Sequence, residues 1–187
     1  SGSWSTADVN NCIAIGQNSL AGVLTATTAE GSIGIGQGTL NALTQGIGNI
    51  GIGYQSLNAE VTGDYNTAVG HQALKVQTGV DGTVGNTSIG YGTMVSNTSG
   101  LSNTAVGAFA LGSNVVGDKN TCLGYNTLAY SAASDGNGDN TAVGYRAGTF
   151  VSTGVGNTFV GSQSGEGITG DRLTGNNNTA LGQGAGY

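Results

Sequence analysis

Side chains able to do chemistry are few in this sequence and do not form a constellation. The 187 residues include one histidine, two cysteines, four cationic and ten acidic side chains. His71 has no nucleophile, base or metal partner at a fixed spacing, so its lone imidazole reads as a surface or packing group. No HExxH, paired Cys-x-x-Cys, Gly-x-Ser-x-Gly or phosphate-loop pattern occurs. Asp135-Gly136-Asn137-Gly138-Asp139 superficially suggests calcium, but lacks both the repeated Gly-Asp nonapeptide and the helix-loop-helix ligand set. Two carboxylates that hydrolyse a glycan must flank one bond, and these acids fall in separate connections. The expectation is a chain that is not an enzyme and needs no cofactor or metal.

Recognition is better represented than reaction. Tyr54, His71, Tyr91, Tyr125 and Tyr145 each follow a recurring glycine, and longer connections carry Lys75, Asp81, Tyr130 and Asp135. Aromatic side chains offer broad contact area at low entropic cost, and loops on a rigid scaffold commonly carry binding. These nine are the candidate receptor-binding residues. The bland alternative is that the aromatic row only covers the molecule at subunit junctions.

What positions them is a cassette, Asn-Thr-small-aliphatic-Gly, written ten times. Its glycines are Gly16, Gly36, Gly53, Gly70, Gly90, Gly107, Gly124, Gly144, Gly161 and Gly182, at intervals of 20, 17, 17, 20, 17, 17, 20, 17 and 21 residues. A fixed period of this size means a solenoid, in which each unit is stable because its neighbours cover it. β-branched residues at alternate positions and recurrent glycine favour short strands over helix. The spacing predicts an all-β parallel β-solenoid of about ten 17-residue coils, roughly 48 Å long at 4.8 Å per coil. It occupies 12–187 as a single repeat domain, with 1–11 read as a cloning scar or N-terminal cap. Longer side loops are expected at 21–31, 75–85, 129–139 and 166–177.

Period two separates two columns in each strand. The aliphatic one, Ile15, Ile35, Ile52, Val69, Ile89, Val106, Leu123, Val143, Val160 and Leu181, is expected to fill the coil interior. The opposite one, Ala14, Gly34, Gly51, Ala68, Ser88, Ala105, Cys122, Ala142, Phe159 and Ala180, is small in nine units of ten. An exposed face would tolerate charge and length, so this column is expected against another copy of the chain, with Phe159 plugging the axis or marking a wider place. Thr shares its face with the aliphatic residue and is expected inside. A second run, from Ser19-Leu20 to Thr127-Leu128, loses its leucine in the last three units, Ala147-Gly148, Ser164-Gly165 and Ala185-Gly186.

Composition narrows the partners. Net charge is −6, and nine acids lie between the cassettes, which disfavours a phosphate backbone as partner. No run has the apolar length of a membrane helix, so this segment is not expected to insert. Cys12 and Cys122 occupy different cassette positions far apart along the solenoid, which argues against a disulfide within one chain.

The cassette Asn66-Thr67-Ala68-Val69-Gly70-His71-Gln72-Ala73-Leu74 resembles the head repeat of trimeric autotransporter adhesins of the Yersinia-adhesin-like family, and related repeats in bacteriophage tail fibres. The resemblance covers Cys12 to Tyr187. It implies a left-handed parallel β-roll assembled as a homotrimer and displayed outside the cell, on a bacterial surface or a virion. A cell-surface protein or glycan is then the partner; the alternatives are a passive tail-fibre spacer or a monomeric ice- or glycan-binding solenoid. Family head repeats are often shorter, so the extra residues here should form larger side loops.

Overall fold

A computed structural model describes residues 11–22, 29–78, 81–131, 138–167 and 172–186. Among these, the cassettes form strands β1 (Ile13–Ile15), β2 (Ile33–Ile35), β3 (Ile50–Ile52), β5 (Thr67–Val69), β7 (Thr87–Ile89), β8 (Thr104–Val106), β9 (Thr121–Leu123), β10 (Thr141–Val143), β11 (Thr158–Val160) and β12 (Thr179–Leu181). Two further strands, β4 (Gly63–Asp64) and β6 (Gly82–Thr83), make a small separate pair. The ten cassette strands lie in one parallel sheet in chain order, so the chain is a parallel β-solenoid of about nine turns. Register is strict: Ala68 pairs with Gly51 and Ser88, and Val69 with Ile52 and Ile89. The second wall is laddered in the same sense, with Leu57 N–H donating to Ala73 O at 3.1 Å and Leu74 N–H to Thr93 O at 3.0 Å.

Each strand stops after three residues because the bend glycine leaves β space. Gly70 has φ +141°, and its equivalents run from +116° to +137°. A Cβ at Gly16, Gly144 or Gly161 would also sit 2.6 Å from the carbonyl oxygen of the next bend glycine. Positive φ and close backbone approach therefore both demand glycine here.

The in-out assignment of the strand columns is the reverse of the sequence expectation. Ala68, Ser88, Ala105, Cys122 and Ala142 are fully buried within the single chain, Gly34 and Gly51 are buried, Phe159 is 3% exposed, and Ala14 and Ala180 pack partly against the same core. The small column thus faces its own coil, not a subunit axis. The aliphatic column points outward: Ile35, Ile52, Val69, Val106, Val143 and Val160 are half-buried, and Ile15, Ile89, Leu123 and Leu181 are exposed. Thr67, Thr87, Thr104, Thr121, Thr141 and Thr158 accompany them half-buried on the outer face, and Thr179 is exposed.

The reason lies across the coil. Leu40, Leu57, Leu74, Met94, Leu111 and Leu128 on the second wall are completely buried, and a Cβ at Gly34 or Gly51 would already lie 3.3 Å from Leu20 or Leu40 Cγ. One leucine per turn fills a coil this thin, and close packing leaves no room for a second large side chain opposite it. All these residues, Leu20 included, have φ between 45° and 53°. A left-handed non-glycine residue costs about 1–2 kcal/mol, whereas full burial of a leucine contributes about 1.5–3 kcal/mol, so packing outweighs strain.

Asparagine closes the core's remaining side. Asn66 N–H and Nδ2 both donate to Asn49 Oδ1, at 2.9 and 3.1 Å, while Asn49 Nδ2 donates to Gly63 O at 2.7 Å. The ladder continues through Asn86, Asn103, Asn120, Asn140, Asn157 and Asn178. Two acids depart from the solvated set: fully buried Glu60 accepts the N–H groups of Val61, Thr62 and Gly63 on Oε1 at 2.7–3.2 Å, and Glu166 pairs with Arg146 at 2.6 Å.

Candidate recognition surface

Two surfaces stand out once the core is closed. The first is the outer strand face, a column of Thr or Ile beside a column of Val, Ile or Leu. No charged side chain occurs in any of its ten strands. Parallel pairing repeats each column at about 4.8 Å.

The second is the wall that begins at the bend glycine. Because this glycine recurs in register, the residue after it stacks on its equivalents. Tyr54 and His71 stack with centroids 5.0 Å apart, His71 and Tyr91 lie at 5.3 Å, and Tyr125 and Tyr145 stack at 5.6 Å with a 10° interplanar angle. All five are exposed. The sequence row has a gap at Ala108, which the structure fills with Phe109 from the next position. Its ring stands at 90° to Tyr91 and 86° to Tyr125, with centroids at 5.0 and 6.3 Å. Room for it comes from Gly92, where a Cβ would lie 3.2 Å from the Phe109 ring. The signal for Phe109 was present as an aromatic one residue out of phase opposite a glycine.

The loop candidates divide. Tyr130 belongs to this wall, stacked on Phe150 at 5.2 Å and 2° and covered by the Arg172 guanidinium 5.6 Å from its ring centre. Lys75 is half-buried along the same wall, five residues after its bend glycine. Asp81 is exposed beside β6, on the part of the coil that precedes the next asparagine, apart from the aromatic ladder. Asp135 and most of the run from Asp135 to Asp139 lie outside the described residues, as do 1–10 of the expected cap and the middles of the four long loops.

Two depressions open on the wall. One, of about 350 Å³, is bounded by Phe109, Tyr125 and Tyr130 and floored by small residues including Gly112, Ser113 and Ala129. The other, of about 250 Å³, is lined by Tyr54 and the amides Asn18, Gln37, Asn41, Gln55 and Asn58. Neither is lined by a charged residue.

The cysteines sit in different surroundings. Burial pushes the Cys122 thiol well above its ordinary value, so it stays protonated and inert in the core. Cys12 Sγ donates to Ala29 O at 2.8 Å. Family models, curated proteins and solved structures were each compared with the chain, and none matches.

Proposed function

We propose that this chain is a segment of a homotrimeric, non-enzymatic surface fibre or adhesin head, which holds the aromatic wall outward as its recognition surface. The supporting observation is the outer strand face. It is uncharged along all ten strands and rich in Val, Ile and Leu, yet the core inside each turn is already filled without it. Such an uncovered apolar stripe marks an interaction surface. Placed against two more copies around an axis, it supplies the second buried face that the sequence pattern calls for, through Ile35, Ile52, Val69, Ile89, Val106 and Leu123 in place of the small column. The left-handed coil and the extracellular or virion location belong to this reading through the resemblance of the cassette.

Sedimentation equilibrium at several concentrations tests it. A trimer is expected, Val106→Glu together with Leu123→Glu should give a folded monomer, and Lys119→Glu on an exposed turn should leave assembly unchanged. A stable wild-type monomer overturns the reading. That outcome favours a second one, in which the threonine column, which points outward and repeats at about 4.8 Å, binds ice. Thermal hysteresis of the monomer would then be measurable. A trimer that binds no cells, with or without the aromatic wall, would be a passive spacer.

A further inference from the structure

The two depressions on the aromatic wall are equivalent places in the repeat, and this carries an inference about what the wall binds. Both are built from residues one, two and five positions after a bend glycine: Gln37, Asn18 and Asn41 in one, and Tyr125, Asn126 and Ala129 in the other. They are centred about four coils apart, which is roughly 19 Å along the rod. Between them runs the continuous ladder Tyr54, His71, Tyr91, Phe109, Tyr125, sharing Tyr54 with the first depression and Phe109 and Tyr125 with the second.

The two ends differ in chemistry in a complementary way. The first offers mainly amides, which donate and accept hydrogen bonds at once, as vicinal hydroxyls require. The second offers rings. Phe109 stands perpendicular to both neighbours and stacks face to face with neither, while Tyr125, Tyr130, Ser96, Ser113 and Asn126 surround the same space. The negative face of an aromatic ring attracts weakly positive C–H groups, and a pyranose ring with equatorial hydroxyls presents a face of such hydrogens. Volumes of about 250 and 350 Å³ lie just below and just inside the lower end of small-ligand sites, enough for one or two sugar rings each. The side chains lining both depressions are neutral and the protein as a whole is acidic; the cations beside them are Lys75 on the stretch between and Arg172 over Tyr130 at the edge of the second, too far apart to form a pair. A charged polysaccharide finds no paired counter-charge there.

From this arrangement we infer that the wall is one elongated subsite for an extended, uncharged, β-linked polysaccharide laid parallel to the rod, its rings on Phe109 and Tyr125 and its hydroxyls among the amides near Tyr54. The inference rests on the wall being the recognition surface of the proposed fibre, and it adds the ligand class, direction and length.

The test uses the whole chain and isothermal titration with the neutral hexasaccharides cellohexaose, xylohexaose and mannohexaose, the corresponding trisaccharides, and anionic hexagalacturonate. At least one neutral hexasaccharide should bind, at least about tenfold more tightly than its trisaccharide, because only the longer chain reaches both depressions. Phe109→Ala with Tyr125→Ala should weaken it about tenfold or more, and Asn41→Ala with Asn58→Ala by a smaller factor. Unchanged circular dichroism keeps those losses interpretable, and the length dependence in the unaltered protein stands without any variant. No binding by the neutral panel, tighter binding of hexagalacturonate, or equal affinity for tri- and hexasaccharide overturns the inference. Sedimentation of the same samples separates the two readings. A monomer that binds with the expected length dependence removes the trimer and keeps the sugar site; a trimer that binds no neutral sugar removes the sugar site alone.

Discussion

The first seven coils and the ninth fill the same interior volume from opposite walls. In the early coils the strand contributes a small residue and the second wall a buried leucine or methionine. At β11 the strand contributes Phe159 and the second wall only Gly148 and Gly165, both left-handed, with φ 60° and 55°. A Cβ at Gly148 would lie 2.9 Å from the Phe159 ring, and one at Gly165 would overlap it outright. In the eighth and ninth units the loss of leucine is therefore matched by one aromatic ring, which occupies the space beside both Gly148 and Gly165. The comparison teaches that the interior can be filled from either wall, so the residue that supplies the bulk is exchangeable.

Breaking either arrangement should produce the largest effects. Phe159→Ala is expected to cost about 3–5 kcal/mol and Leu111→Ala about 2–5 kcal/mol in urea unfolding. The exchange can then be tested directly: Gly165→Leu alone should destabilise through overlap with Phe159, whereas Gly165→Leu combined with Phe159→Ala should recover at least about 1 kcal/mol relative to the sum of the single changes. Additive losses would show that the two walls do not compensate.

Backbone and hydrogen-bond features common to both regions come next. Gly107→Ala combines φ +129° with a neighbouring carbonyl and should cost about 1–3 kcal/mol in the same measurement. Asn103→Ala leaves Asn120 N–H, which donates to Asn103 Oδ1 at 2.9 Å, without its buried acceptor, and about 1–3 kcal/mol should be lost. If the asparagine column were merely a solvated stripe, this change would be silent.

The smallest effect concerns Cys122 in the small column. Its thiol titrates higher folded than unfolded, so the contribution of the neutral thiol is complete below the unfolded value, about pH 8.5, and declines as pH rises above it. The alkaline limb of the stability profile should fall more steeply for the native chain than for Cys122→Ala, by up to about 1.4 kcal/mol per pH unit. Identical limbs would place the thiol in water.

Much of this was legible beforehand. The 17-residue period, the strand positions, the bend glycine and the row from Tyr54 to Tyr145 follow from recurrence, because any residue repeated in register on a solenoid must lie over its equivalent. The direction of the strand was not legible. Ala68 and Val69 alternate whichever face is buried, and the expectation that the larger residue turns inward ignored Leu57 and Leu74, which reach the same space from a left-handed position on the far wall. Phe159, expected to plug the axis or mark a wider place, is explained by the same omission. Phe109 was missed because a column-by-column reading holds each residue to its own row, whereas a side chain can lean into a vacancy left by Ala108.

By itself, then, the sequence determined the periodic order: parallel in-register strands, their turns, an asparagine recurring at the head of most cassettes, and an aromatic row along one edge. These follow from local preference and repetition, which one-dimensional spacing encodes. Only the tertiary structure decided which face of each strand is inside, how Phe159 replaces leucine, and how two separated depressions join one aromatic wall. Those outcomes depend on the volume enclosed between two walls of the same coil, a quantity set jointly by residues that no period along the chain places side by side.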